Sequence, residues 1–433
     1  MTLAPSRPPA AAWPGLDVVP SGFRAAVSAR VARRLFEAAV ARLDVSVVVE
    51  DPGGRRVLGR GGPLMTVHRP GEFFARVGRH QLIGFGEAHL AGAWDCEDLT
   101  GFLTVLAAEL PHLVPRSLQR VRGMVVARPP SRHRNTQRNT RDNVAHHYDL
   151  SNDLFRLFLD PSLNYSAALF DTELVAAGDH LRAGLPRQGD DLYAAQLRKL
   201  DRLLDETRVG AGTRVLEIGT GWGELAIRAA QRGATVRTVT LSIEQKALAE
   251  QRIAAAGMAD RVDVELCDYR RLGDERRYDA VLSVEMIEAV GHEYWSTYFS
   301  TVDRLLAPGG RVGIQAITMP HDRMLATRRT YTWINKYIFP GGFLPSVEAI
   351  EQVTARDTTL RVRNRLSMGL HYAETLRQWE GAFSAAAAEV RRLGFDERFQ
   401  RMWHFYLAYS RAGFASGYLD VQQVTLARPE EQR

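Results

Sequence analysis

From about residue 210 onward, apolar runs alternate with amphipathic stretches. "TRVLEI" reads as a strand, "GTGWGE" as a glycine turn and "LAIRAAQRG" as a helix. "ATVRTVTLS" and "IEQKALAEQRIAAAG" repeat the pattern, and "RVDVELCDY" and "YDAVLSVE" follow as strands. "EYWSTYFSTVDRLLAPGG" has helical spacing with a glycine stop, and "RVGIQAIT" reads as a fifth strand. Strands alternating with helices predict a doubly wound parallel sheet, an α/β fold. "YLDVQQVTLAR" is expected as a late antiparallel strand at the sheet edge.

Upstream the pattern is different. "LFEAAVARL" and "GFLTVLAAEL" have helical spacing, whereas "DVSVVVED" and "RRVLGR" read as strands around a turn at Pro52–Gly54. The expected organisation is a disordered tail over 1–20, a smaller α+β domain over 21–115, a basic linker over 116–142 and the α/β domain over 143–433. The linker assignment rests on charge. Between Arg116 and Arg141 there are eight arginines and no Asp or Glu. Such a segment is either a solvated linker or a strap for anionic lipid, and without interleaved aromatics it does not suit base stacking.

Charge changes the picture further. The 433 residues carry a net charge of +6, which favours an acidic partner such as phospholipid headgroups or an anionic cofactor. Two cysteines, Cys96 and Cys267, support neither a disulfide framework nor a cysteine metal site, and a reducing compartment fits. His146 and His147 stand at no metal spacing with another ligand pair, so no metal is expected. The first residues lack a basic-then-apolar signal pattern, and no run of about 18 apolar residues occurs, so membrane contact is expected to be peripheral.

The candidate chemistry sits at strand ends. Gly219, Gly221 and Gly223 follow the first strand of the α/β region, with Glu217 just before them. Glycines there let backbone approach a ligand. Asp268 can accept from an adenine amino group and Tyr269 can stack on the ring, although an ordinary turn residue also suits Asp268. Together they favour S-adenosylmethionine over a dinucleotide. In "VLSVEMIEAVG", Glu285 and Glu288 follow an apolar strand, where uncompensated carboxylates are costly to bury. Glu285 either works in the cleft or pairs with an arginine outside it. The stripe Phe399, Met402, Phe405, Tyr406 and Tyr409 reads as core, and "TYTWINKYIF" as core packing or a lipid- or cation-facing wall.

The motifs "HHYDLSNDLFRLFLDPSLNYSAALF", "VLEIGTGWGE", "VTLSIEQ", "MIEAVG" and "WINKYIFPGGFLPS" occur in this order over about 143–426. They closely resemble the cyclopropane fatty acid synthase family, which includes the mycolic acid methyltransferases. The first block looks like the lipid-binding domain of full-length bacterial synthases. The resemblance implies a Rossmann-like class I methyltransferase domain and methyl transfer from S-adenosylmethionine to a C=C bond of phospholipid acyl chains. It implies cofactor contacts from Tyr148, Tyr165, Ser166, Gly219, Thr240, Gln245, Asp268 and Tyr269. It also implies a homodimer, and a cytoplasmic protein peripheral on the inner face of the membrane.

In that family a bicarbonate held by Cys, Glu, His, Tyr and a backbone group acts as the base. The Glu remains as Glu288 and the Tyr as Tyr337, with Ile317 at the backbone position. The Cys position is Ala167, the His position is Gln315, and Glu285 stands where the family commonly has Gly. Two like charges about 4 Å apart repel by roughly 4 kcal/mol at an effective dielectric of 20, so bicarbonate beside both glutamates is disfavoured. The expectation is that Glu285 replaces it, with Glu288, Tyr337 and Gln315 completing the catalytic set. The expected product is a methylene-branched chain, handed on to a flavin-dependent reductase. The alternatives are an ordinary cyclopropane synthase and a lipid-binding protein with a vestigial methyltransferase fold.

Overall fold

The computed structural model describes residues 13, 15–109, 129–130, 135, 139, 151–273 and 277–429. Most of the arginine-rich strap, with Tyr148, His146 and His147, lies outside the described residues. The chain divides into two compact units. One comprises Met1–Arg128, Thr330–Ile338 and Trp379–Tyr418; the other comprises Pro129–Arg329, Phe339–Gln378 and Leu419–Arg433.

In the first unit, helix α1 (Phe23–Val40) packs on α2 (Pro70–Leu90) beside a sheet of order β2-β1-β3-β4. β1 (Ser46–Asp51) and β2 (Gly54–Gly59) form an antiparallel hairpin, β3 (Leu64–Val67) runs parallel to β1, and β4 (Trp94–Cys96) is antiparallel to β3. Val47 and Val49 alternate inward from β1, as a half-buried strand requires. Helix α3 (Leu99–Ala108) starts at Asp98, whose carboxylate accepts from the Gly101 N–H.

Two returns of the chain complete this unit, where the sequence suggested one continuous domain from 143. Helix Glu397–Ala415 buries Phe405 beside Trp94 and Phe85 (6.4 and 6.5 Å between centroids). Trp333 stacks edge-on against Phe405 at 4.8 Å, and a Cβ on Gly86 would meet Trp333 at 2.6 Å. Only glycine allows that approach. The aromatic stripe is therefore core, as is Trp333, while Tyr409 stays 40 % exposed. Leu16, within the expected tail, is buried, and its carbonyl accepts from Arg76.

The second unit is a nine-stranded sheet of order β5-β6-β12-β13-β11-β10-β7-β8-β9. Its parallel core consists of β7 (Arg214–Ile218), β8 (Thr235–Thr240), β9 (Val262–Leu266), β10 (Tyr278–Val284) and β11 (Leu306–Thr318). Both faces are covered. Ala280 and Leu282 of β10 join the layer of Leu200, Leu203 and Ala226, and Val281 joins that of Tyr298, Phe299 and Val302. The contributing helices include α4 (Leu192–Glu206), α5 (Glu224–Gln231), α6 (Ile243–Ala255) and α7 (Trp295–Leu305). α7 ends at Leu305, before the expected glycine stop, because β11 already begins at Leu306.

The last strand corrects an expectation. β13 (Asp420–Ala427) is antiparallel but lies inside the sheet, between β11 and β12 (Arg361–Ser367). Its six residues Val421–Leu426 are all buried, which suits a strand paired on both sides. One edge is instead the hairpin of β5 (Leu174–Ala177) and β6 (His180–Ala183). The chain runs outward from β7 to β9 on one side, then returns to β10 and β11 on the other. The crevice at that reversal, beyond the C-terminal ends of β7 and β10, is where such folds place ligands.

Candidate active site

Glu285 follows the last residue of β10 and has φ of +51°. A side chain in this left-handed region is strained and persists where its surroundings hold it. Its N–H donates to the Gln315 carbonyl of β11 at 2.8 Å. Its Oε1 accepts from the Ala167 N–H (2.9 Å) and the Gln315 amide (2.8 Å). Among the described residues no arginine holds it. Burial raises the Glu285 pKa, while those two donors, the Lys199 charge and the Tyr372 hydroxyl pull the other way.

Glu288 lies one turn on, in the short helix Ile287–Val290. Its Oε1 accepts from the Ile317 N–H at 2.5 Å, whereas its enclosed Oε2 has no partner among the described residues. Burial first, and the Glu285 charge second, push Glu288 up to about 8.

Behind the pair stands a cation the sequence reading missed. Lys199 of α4 is fully buried and donates to Ser166 Oγ at 2.6 Å. Burial pulls it down to about 8, and the charges of Glu285 and Asp160 oppose that fall. A signal was present: Gln196 and Lys199 are polar residues on the apolar stripe of Ala195, Leu200 and Leu203. Ser166 is thus engaged twice, its hydroxyl by Lys199 and its carbonyl by Gln196 (2.9 Å).

A second missed element orients Gln315. Arg202 donates to Gln423 Oε1 (2.7 Å), Gln423 Nε2 donates to Gln315 Oε1 (3.1 Å), and Gln315 Nε2 donates to Glu285. Arginine has no acceptor, so it fixes which way both amides face. Gln315 must present N–H to Glu285.

The glycine loop adjoins this cluster. A Cβ on Gly219 (φ +99°) would meet Met286 Cγ at 2.5 Å, whereas Gly221 (φ +51°) faces open space within 4 Å. Glu217, buried at the end of β7, hydrogen-bonds Thr238 through one oxygen and leaves Oε2 without a partner among the described residues, and burial pushes it up to about 8. Gly223 caps α5, at the helix N-terminus.

Other expected cofactor residues stand at the ends of β8 and β9. Thr240 donates to Gln245 Oε1 (2.9 Å), and Ser242 caps α6 by accepting from Gln245 N–H. Asp268 is buried and clasped by Arg270, through Nε at 2.9 Å and Nη2 at 2.5 Å. Arg270 lies 5.7 Å from the Tyr269 ring centre, and that hydroxyl is buried without a partner among the described residues. The Tyr165 ring packs against Phe155 (5.2 Å) and Phe158 (6.3 Å). Tyr337 belongs to the other unit. There it donates to Glu87 at 2.9 Å, and Lys336 donates to the same oxygen.

Among the described residues, an unpartnered buried acceptor on Glu217, an unpartnered Tyr269 hydroxyl and open space before Gly221 fit a nucleoside cofactor with a cationic amino-acid end. The profile of the family described as mycolic acid cyclopropane synthetase matches residues 135–424. The chain belongs to that family. Among mycolic acid cyclopropane synthetase relatives, the tuberculostearic acid methyltransferase UfaA1 of Mycobacterium tuberculosis is 51 % identical, over 99 % of each chain. The cyclopropane-fatty-acyl-phospholipid synthase of Escherichia coli is 34 % identical, over 83 % of this chain and 87 % of that one. The solved cyclopropane synthase MmaA2 of Mycobacterium tuberculosis superposes with a TM-score of 0.58 at 30 % identity, covering 66 % of this chain and 98 % of its own. Ala167 and Gln315, expected at the Cys and His positions of the family pattern, are groups that donate to Glu285 here.

Proposed function

We propose that this protein is an S-adenosylmethionine-dependent methyltransferase that acts on the C=C bond of unsaturated acyl chains in phospholipids and leaves a methylene branch. The observation that carries the reading is the Glu285 carboxylate, bound by the Ala167 N–H and the Gln315 amide. Family membership supports the cofactor and the acyl substrate, and the tuberculostearic acid methyltransferase relative supports the branched product.

Bound S-adenosylmethionine supplies the methyl group. Gly219, Gly221, Gly223 and Glu217 would hold its amino-acid end, and Thr240, Gln245, Asp268 and Tyr269 its nucleoside end, with Tyr148, Tyr165 and Ser166 as further contacts. Methylation of one alkene carbon leaves positive charge on its neighbour. The Glu285 carboxylate would stabilise that charge, with the Glu288 carboxyl, which burial and the Glu285 charge hold toward its neutral form, beside it. A hydride moves from the methylated carbon to the cationic one, and the charge returns to the branch point. Glu285 then takes a proton from the new methyl group, and the C–H electron pair forms the exocyclic double bond. Gln315 positions the carboxylate throughout.

Among the described residues no helix is long and apolar enough to cross a membrane, which is consistent with a peripheral protein. The reading includes a homodimer on the inner, anionic face of the cell membrane. It also includes a flavin-dependent reductase that saturates the methylene branch. The test is incubation of purified protein with S-adenosylmethionine and dioleoyl phosphatidylglycerol. Proton NMR of the released fatty acids separates vinylidene protons from cyclopropane ring protons. Vinylidene product is expected, and cyclopropane alone overturns the reading.

A further inference from the structure

α1 has two apolar faces. One packs inward through Ala25, Val40 and Phe36, whose ring meets Phe73 at 5.2 Å and Phe74 at 5.9 Å. The other is open. Phe23 is 85 % exposed, Val27 43 %, Val31 53 % and Leu35 47 %. Steps of four advance about 40° each, so these four side chains share an arc of about 120°. Val18, 69 % exposed, precedes them. A surface helix ordinarily turns polar residues outward. Here Arg24, Arg30 and Arg34 are interleaved on the open face, all exposed and none ion-paired among the described residues. Glu37 at its edge is engaged by Arg33 and Arg56.

We propose that this face of α1 docks the protein on an anionic bilayer, with the arginines on lipid phosphates and Phe23, Val27 and Val31 in the acyl boundary. The proposal rests on the phospholipid-substrate reading above. Charge complementarity selects the occupant. A second copy seated on a two-fold axis would set the arginine row against itself. The chain's own segments fit no better: 116–141 carries eight arginines and no acid, and 1–12 has no acid either. An anionic leaflet offers phosphate oxygens to planar guanidinium groups and hydrocarbon to the apolar residues between them.

The test is flotation of the full chain with vesicles of dioleoyl phosphatidylcholine, alone or with dioleoyl phosphatidylglycerol. The parent should partition onto the anionic vesicles only. Arg24→Gln/Arg30→Gln/Arg34→Gln should lower that partitioning about a hundredfold. Val27→Glu/Val31→Glu, on exposed positions, should lower it at least tenfold with an unchanged Tm. Both variants should keep parental methyl transfer on the same lipid dispersed in detergent. Parental vesicle binding by both variants overturns the proposal. So does a Val27→Glu/Val31→Glu variant that loses dimerisation while keeping vesicle binding, since a second copy would then cover the face. A parent that floats but never methylates dispersed lipid refutes the enzymatic reading and leaves the docking result standing.

Discussion

Glu285 and Gln315 bond each other twice: the Glu285 N–H donates to the Gln315 carbonyl at 2.8 Å, and the Gln315 amide donates to Glu285 Oε1 at 2.8 Å. The first bond continues the β10–β11 ladder past Val284, and the second fixes the carboxylate at the sheet's rim. A residue strained at φ +51° is thereby held from backbone and side chain together.

That arrangement depends on Gln423. Replacing it with Glu puts an acceptor against Gln315 Oε1, and Gln315 relieves the clash by rotating its amide. Its oxygen then faces Glu285. Gln423→Glu is expected to lower kcat at least tenfold with cofactor affinity within twofold of the parent. Stopped-time methyl-transfer assays and isothermal titration separate the two. A parental kcat would show that the chain from Arg202 orients nothing.

The sequence exposed the glutamates because both follow an apolar run, and the alternation of strands and helices already placed that run's end at the ligand crevice. The glycine loop was legible for the same reason. Gln423 was not, and the polar place of Lys199 on an apolar helix face marked its burial but not its partners. Both side chains act only because α4 packs against the sheet and β13 pairs with β11, aligning Gln423 with Gln315 across a separation of 108 residues. The inward place of β13 was hidden too, since strand order is decided by which edges the β5–β6 hairpin and β12 leave open. Likewise Arg270 was unmarked as the clasp of Asp268, because a two-residue hydrogen bond depends on the turn the chain makes there.

Lys199 supplies positive charge to a carboxylate that burial pushes toward neutrality. As a base Glu285 must be ionised, so activity rises with pH through its titration. Lys199→Met removes a favourable charge and should move this acid limb upward by about one pH unit or more. A pH–kcat profile measures it. A merely structural lysine would lower activity equally at every pH.

Stability should fall with pH over a defined window. Glu217 and Glu288 titrate near 8 in the folded chain against an ordinary 4.5. Between those values the folded state keeps protons that the unfolded state has released, so the stability they contribute is lost as pH rises toward 8. Glu217→Gln cannot ionise, and at pH 8 it should be more stable than the parent by about 2 kcal/mol. At pH 4.5 the two should melt alike. Calorimetric Tm values across this range give the answer, and an equal slope for both proteins would refute it.

The cofactor assignment predicts a split between two variants. Gly221→Val places a β-branched side chain at φ +51° and fills open space, so binding of S-adenosylmethionine should vanish. Asp268→Ala leaves that loop intact but releases Arg270, and should weaken binding about tenfold. Titration calorimetry on folded variants, verified by circular dichroism, reads both. Parental affinity in both would place the cofactor elsewhere.

The product follows from where the base stands and how soon it acts. If a proton leaves the new methyl group at once, ring closure gives cyclopropane; if a hydride moves first, the same loss gives the methylene branch. Glu285 shares its enclosure with Glu288, and burial disfavours the ionised form of both, so abstraction waits on an ionised Glu285 and the hydride has time to move. Glu285→Gly removes the carboxylate and puts the residue best suited to φ +51° in its place. The Ala167 N–H and Gln315 amide then lose their shared acceptor, and Lys199 loses its counter-charge, which creates a site for a small anion. Turnover of Glu285→Gly should fall at least a hundredfold without additives, return in part with bicarbonate, and shift toward cyclopropane, because a mobile base can reach the methyl group earlier. The parent should show no stimulation by bicarbonate. The measurement is product composition by NMR for both proteins with and without bicarbonate. Bicarbonate stimulation of the parent, or an undiminished methylene yield from Glu285→Gly, would remove Glu285 from the role of base.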